Sequence, residues 1–93
     1  MKFFDWNPDK NQDLIRERGI SFEEAVFHIT HGGLLDVLEH PNKDKYPNQR
    51  LFVVNIEGYA VLVPFVETEE SVFLKTIIPS RKMAGQYLGG EDK

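Results

Sequence analysis

Cysteine is absent from this chain of 93 residues, which excludes a disulfide framework, a thiolate metal site and a cysteine nucleophile. No apolar run approaches the length needed to cross a bilayer. The opening Met1-Lys2-Phe3-Phe4-Asp5-Trp6 meets an acid and a tryptophan too early for a secretory leader, so the expectation is a cytoplasmic protein without membrane contact. An excess of positive charge is also lacking. The net charge of -4 argues against non-specific nucleic-acid binding by the whole surface, yet it leaves room for a local basic site. Repeats, low-complexity runs and linkers are missing too, so one domain over residues 1–88 is expected, with 89–93 as a flexible tail. What is present, 41% hydrophobic and 28% charged residues, is the composition of a folded globular chain.

Local signals predict two helices before residue 33. Asn7-Pro8 is an amide cap followed by proline at the first helical position, and Gly19 supplies the left-handed stop after Arg18. The stripe of this first helix is thin, essentially Leu14 and Ile15, so it needs tertiary support. Ser21-Phe22-Glu23-Glu24 is a capping box that opens a second helix. Phe22, Ala25, Val26 and Ile29 form its inward face, and Gly32-Gly33 its end. Phe27 lies off that stripe, as a rim residue under the first helix or as a partner contact. Trp6, in a short strand or extended arm, is expected to anchor the first helix to the sheet.

Two-residue alternation then predicts an antiparallel meander of four strands, at 34–39, 50–56, 59–66 and 71–78. Glu57-Gly58 makes the tight turn between the middle two, and Pro64 marks an edge or a bulge. The fold class is therefore α+β: two N-terminal helices packed on a four-stranded meander, then a short C-terminal helix. Both middle strands are apolar on both sides, and two short helices cover only one face of such a sheet. The second face is expected to meet a protein partner, unless the C-terminal helix and the first strand fold over it.

The last strand carries the distinctive charge. Between residues 72 and 88 stand Lys75, Arg81 and Lys82 and no acid, directly after the acidic turn Glu67-Thr68-Glu69-Glu70. Pro79 ends the strand, Ser80 caps the helix, and the two cations fall in the first turn, where the helix dipole disfavours them. That placement points to an anion site.

Three blocks together resemble the BrnT family of type II toxins: Trp6-Asn7-Pro8-Asp9-Lys10, Arg18-Gly19-Ile20-Ser21-Phe22-Glu23-Glu24-Ala25 and Ile77-Ile78-Pro79-Ser80-Arg81-Lys82. The second block is the most specific, and the order and spacing of the three cover nearly the whole chain. The resemblance implies a RelE-like α+β domain that cleaves mRNA without a metal or other cofactor. It also implies a cognate DNA-binding antitoxin that neutralises the toxin and represses the operon with it. The chain departs from the family pattern at Asn7, Arg18 and Pro79-Ser80-Arg81 and has a short, less basic terminal helix. The alternative is a non-catalytic protein-binding module of the same fold.

Metal-free RNA cleavage needs a base for the 2′-hydroxyl, cations for the charged phosphorane and an acid for the leaving oxygen. Arg81 is the candidate phosphate clamp, with Lys82 and Lys75 adding charge and His40 as the histidine to test as a base. Alternatively, Lys75 and Arg81 pair with Glu67 or Glu69. The loop over 40–50 interleaves Lys43, Lys45, Tyr46 and Arg50, a mixture that suits a phosphate strand and a stacked base, or is simply a solvated connection. Tyr87 is an acid, a stacking surface or a packing residue. His28 and His31, three apart on one helix, lack a third ligand, so no metal is expected. Partners implied are the antitoxin and RNA, with a homodimer or heterotetramer possible.

Overall fold

A computed structural model describes residues 2–89. In chain order it contains β1 (Phe3–Trp6), α1 (Pro8–Arg18), α2 (Phe22–His28), β2 (Leu34–Glu39), β3 (Gln49–Ile56), β4 (Tyr59–Glu67), β5 (Ser71–Leu74), β6 (Ile78–Pro79) and α3 (Arg81–Tyr87). Asn7 starts α1 as its side chain accepts from the amides of Asp9 and Lys10 at 2.8 and 3.1 Å. Gly19 ends it with φ 68°. Ser21 and Glu24 form the reciprocal capping box of α2. That helix does not run on to its glycines. It passes at Ile29–Gly33 into a π-helical turn, and a Cβ on Gly33 would lie 2.8 Å from the carbonyl oxygens of Asn55 and His28.

The buried residues of α1 are Leu14 and Asn11, not Leu14 and Ile15; Ile15 is exposed. Asn11 joins the two helices, accepting from the Phe22 amide and donating to Glu23 Oε1, both at 2.7 Å. Phe22 and Ala25 of α2 are fully buried against the sheet, and burial of a side chain like Phe22 stabilises by about 1.5–3 kcal/mol. Trp6 stacks on Phe22 of α2 at 5.7 Å and packs against the core cluster that includes Leu14 of α1.

The sheet is mixed, in the order β1-β5-β4-β3-β2, with β6 paired to β4. Neighbours from β2 to β5 run antiparallel, and β1 adds parallel to β5 with Phe3 opposite Ser71. The expected single strand over 71–78 is broken. Phe65 pairs with Leu74 but Leu62 pairs with Ile78, so one extra residue is accommodated between β5 and β6. The reason lies in Pro64, whose oxygen accepts from the Lys75 amide at 2.8 Å. Its nitrogen faces the same neighbour and has no hydrogen to give, so the ladder yields there. The alternation slips as a result: Ile77 is buried with Leu74, while Ile78 and Lys75 face out.

One sheet face packs Phe52, Val54, Ile56, Val61, Val63 and Phe65 against α1 and α2. The other is not open. Leu51, Val53 and Ala60 are buried there, and α3 crosses it from Ser80, whose amide donates to Ala60 O, to Tyr87, whose hydroxyl donates to Asp36 of β2. Gly85 lies within α3, which continues to Tyr87. Gly89 has φ 77°; the rest of the expected tail, 90–93, lies outside the described residues. Both outer strands occupy an outward amide with the preceding aspartate: Asp5 accepts from Trp6 N and Asp36 from Val37 N, at 2.9 and 2.8 Å. Such contacts blunt edges that would otherwise template further strands.

Candidate functional site

The fold divides the predicted site residues between the two ends of the sheet. At one end, where β2 turns into the loop before β3, His40, Lys43 and Arg50 line a cavity of about 230 Å³ together with Glu39. Lys43 pairs with Glu39, and Arg50 pairs with Glu67, which also accepts from Lys2 at 2.5 Å. The hydrogen bond from Lys43 holds the Glu39 carboxyl below its ordinary range, and Lys2, then Arg50, does the same for Glu67. Arg50 also lies over the Phe65 ring at 5.2 Å, and Lys45 over Tyr46 at 5.4 Å. His40 packs on Tyr46, and its Nδ1 accepts from the Asn42 amide at 3.0 Å. A neutral ring so bonded keeps its hydrogen on Nε2 and has no free lone pair to take a proton. The geometry therefore counts against His40 as the base.

At the other end stands Arg81, exposed and, among the described residues, without an acid partner; the same is true of Lys82. The alternative pairings with Glu67 or Glu69 are not formed. Ser80 caps α3 by accepting from Met83 N at 3.2 Å. Arg81 lines a cavity of about 400 Å³ with Tyr59, Ala60, Pro79, Ser80 and Ala84. Lys75 is not beside it. Lys75 lies opposite Pro64, and Arg81 near Ala60, which separates them by roughly 13 Å along β4 at about 3.3 Å per residue. Its ammonium instead lies 5.5 Å from the centre of the Phe73 ring. His40 is farther still: its partner Gln49 pairs with Val66, about 20 Å along β4 from Ala60.

Tyr87 is committed to packing. Its hydroxyl donates to Asp36 Oδ2 at 2.6 Å, which pushes the phenol above its usual range and holds the Asp36 carboxyl below. A phenol so held is a poorer acid for a leaving group.

A second cavity, also about 400 Å³, lies where α1 and α2 meet the β3–β4 hairpin and was not anticipated from the sequence. Arg18 lines it and donates to the Ile77 carbonyl, tying the end of α1 to the bulge. Tyr59 and Pro79 belong to both 400 Å³ cavities, and Tyr59 is 74% exposed. Its place in an alternating strand reads as core, so only the adjacent hairpin turn hinted otherwise. Phe27, 54% exposed, stacks on His31 at 4.1 Å rather than lying under α1. Among the described residues no cluster of His, Asp and Glu has the makings of a metal site, and no helix is long and apolar enough to cross a membrane.

The class these features define is a small α+β domain with a mixed sheet and, at one end, an arginine without an acid partner among the described residues. No family model, curated protein or solved structure matches the chain.

Proposed function

We propose that the chain is a toxin-type endoribonuclease with a RelE-like fold. It acts on mRNA in the cytoplasm without a metal and is held in check by a DNA-binding antitoxin. The three sequence blocks motivate the class. The observation that carries the site is Arg81, an exposed guanidinium with no acid partner among the described residues, lining a cavity. A planar fork of donors in that state suits two oxygens of one phosphate, and Lys82 adds charge beside it. The antitoxin rests on the resemblance alone, since α3 occupies the sheet face that suggested a partner.

The second reading, a non-catalytic binding module, is favoured by one specific observation. Neither group considered for proton transfer stands ready beside Arg81, because His40 is at the far end of the sheet and Tyr87 is bonded to Asp36. Expression of wild type and Arg81→Ala without antitoxin separates the two. The ribonuclease reading expects growth arrest and RNA cleavage in chelator for the wild type, both lost in the variant at an unchanged melting temperature. A wild type that neither slows growth nor cuts RNA favours the binding module.

A further inference from the structure

Tyr59 is the anomaly of the hairpin. It occupies a strand position whose neighbours Val61 and Val63 are buried, yet three-quarters of it is open to solvent, at 74%. It opens β4 and pairs with Ile56, which is buried at 4%. The phenol forms no side-chain hydrogen bond to any described residue. Packing does not account for the ring.

Its surroundings do. Tyr59 and Pro79 line both of two cavities of about 400 Å³. On one side the lining adds Arg81; on the other it adds Arg18, Ile20, Glu24, Glu57 and Val61. One aromatic side chain thus belongs both to a cleft whose guanidinium has no acid partner among the described residues and to a cleft of mixed apolar and charged lining. Those are the two requirements of single-stranded RNA: an aromatic platform for an unstacked base and a cation for the phosphate next to it.

We propose that Tyr59 is the stacking platform of the RNA site: an unpaired base lies on its ring, reaching into the cavity beside Arg18 and Glu57, while the adjoining phosphate is met by Arg81 in the other cavity that Tyr59 and Pro79 line. The inference rests on the ribonuclease reading and deepens it, since it states which part of the substrate goes where. It also moves the base-binding role from Tyr46 and Tyr87, which pack on His40 and bond to Asp36, to a ring that is free.

The test is binding of a short single-stranded RNA that cannot be cleaved, with 2′-O-methyl groups throughout and one fluorescent 2-aminopurine. Wild type, Tyr59→Phe, Tyr59→Leu, Tyr59→Ala and Arg81→Ala are compared over a salt series. Wild type and Tyr59→Phe should quench the fluorophore alike. Tyr59→Leu and Tyr59→Ala should lose the quenching and bind about tenfold or more weakly, as expected for one lost base stack. Arg81→Ala should keep the quenching, bind more weakly and show a salt slope reduced by about one. Melting temperatures verify that each variant is folded, and Tyr59→Leu keeps apolar bulk should Tyr59→Ala be unstable. If Tyr59→Leu binds and quenches like wild type while Arg81→Ala is weakened, the stacking role falls and the phosphate clamp stands. If wild type binds no RNA at any salt concentration, both fall. A protein partner whose binding is lost in Tyr59→Leu, with RNA affinity unchanged, also overturns the proposal by assigning the ring to a protein interface.

Discussion

Both ends of the sheet carry cations, but most of those at the loop end are held by acids and those at the α3 end are not paired among the described residues. In the 40–50 loop Lys43 is answered by Glu39 and Arg50 by Glu67, Lys45 lies over the Tyr46 ring, and the Nδ1 of His40 accepts from a backbone amide. At the hairpin and α3, Arg81 and Lys82 have no acid partner among the described residues, and Tyr59 presents a bare ring. A cation already paired must give up that partner to hold a phosphate; a free one need not. The lesson is that charge counted along a chain differs from charge available for work.

The largest expected effect separates the ends by activity. Arg81→Ala should lower RNA cleavage by roughly a hundredfold or more, the loss usual for a group that stabilises developing charge. Lys43→Ala and Arg50→Ala should stay within a few-fold of wild type. Equal losses at both ends, measured as initial rates on one RNA, would erase the distinction.

Stability should respond elsewhere. Asn11 touches neither end, but its side chain satisfies the buried amide of Phe22 and binds Glu23. Asn11→Ala should cost about 1–3 kcal/mol, because one partner is removed and the other is left buried. Urea denaturation gives the number, and cleavage by the folded fraction should be unchanged.

How far these assignments were legible depended on distance along the chain. The caps of α1 and α2 were readable because Asn7, Ser21 and Glu24 act within three residues. The parallel pairing of β1 with β5 was not, since Phe3 meets Ser71 across most of the chain and a four-residue apolar segment has no signature of its partner. Pro64 announced a bulge but not its consequence, the slip that buries Ile77 and turns Ile78 outward. Asn11 stands outside the apolar stripe read for α1 yet is buried, and Tyr59 stands in an apolar strand yet is exposed, because burial was decided by which elements pack there. The pairing of Arg50 with Glu67, seventeen residues apart, was equally hidden.

A smaller effect tests whether α3 is held as described. The Asp36 carboxyl is lowered from 3.8, so its contribution is present above that value and lost as pH falls through the lower folded one. Tyr87 is raised from 10.0, so its share is present below that value and lost as pH rises through the higher folded one. Wild type should therefore melt above Tyr87→Phe between about pH 4 and 10, with the gap closing at both extremes. A gap independent of pH would mean that the hydrogen bond does not hold the helix. Smallest of all, Lys43→Ala should barely shift the melting temperature, as an exposed pair contributes little.

The most direct test of the central claim is a titration of the isotope-labelled protein with the uncleavable single-stranded RNA, followed amide by amide in two-dimensional NMR spectra. The account predicts that the shifts concentrate at Tyr59, Ala60, Ser80 and Arg81 and leave the 40–50 loop near its free positions. Shifts centred on His40, Lys43 and Arg50 with the hairpin and α3 unmoved would contradict it.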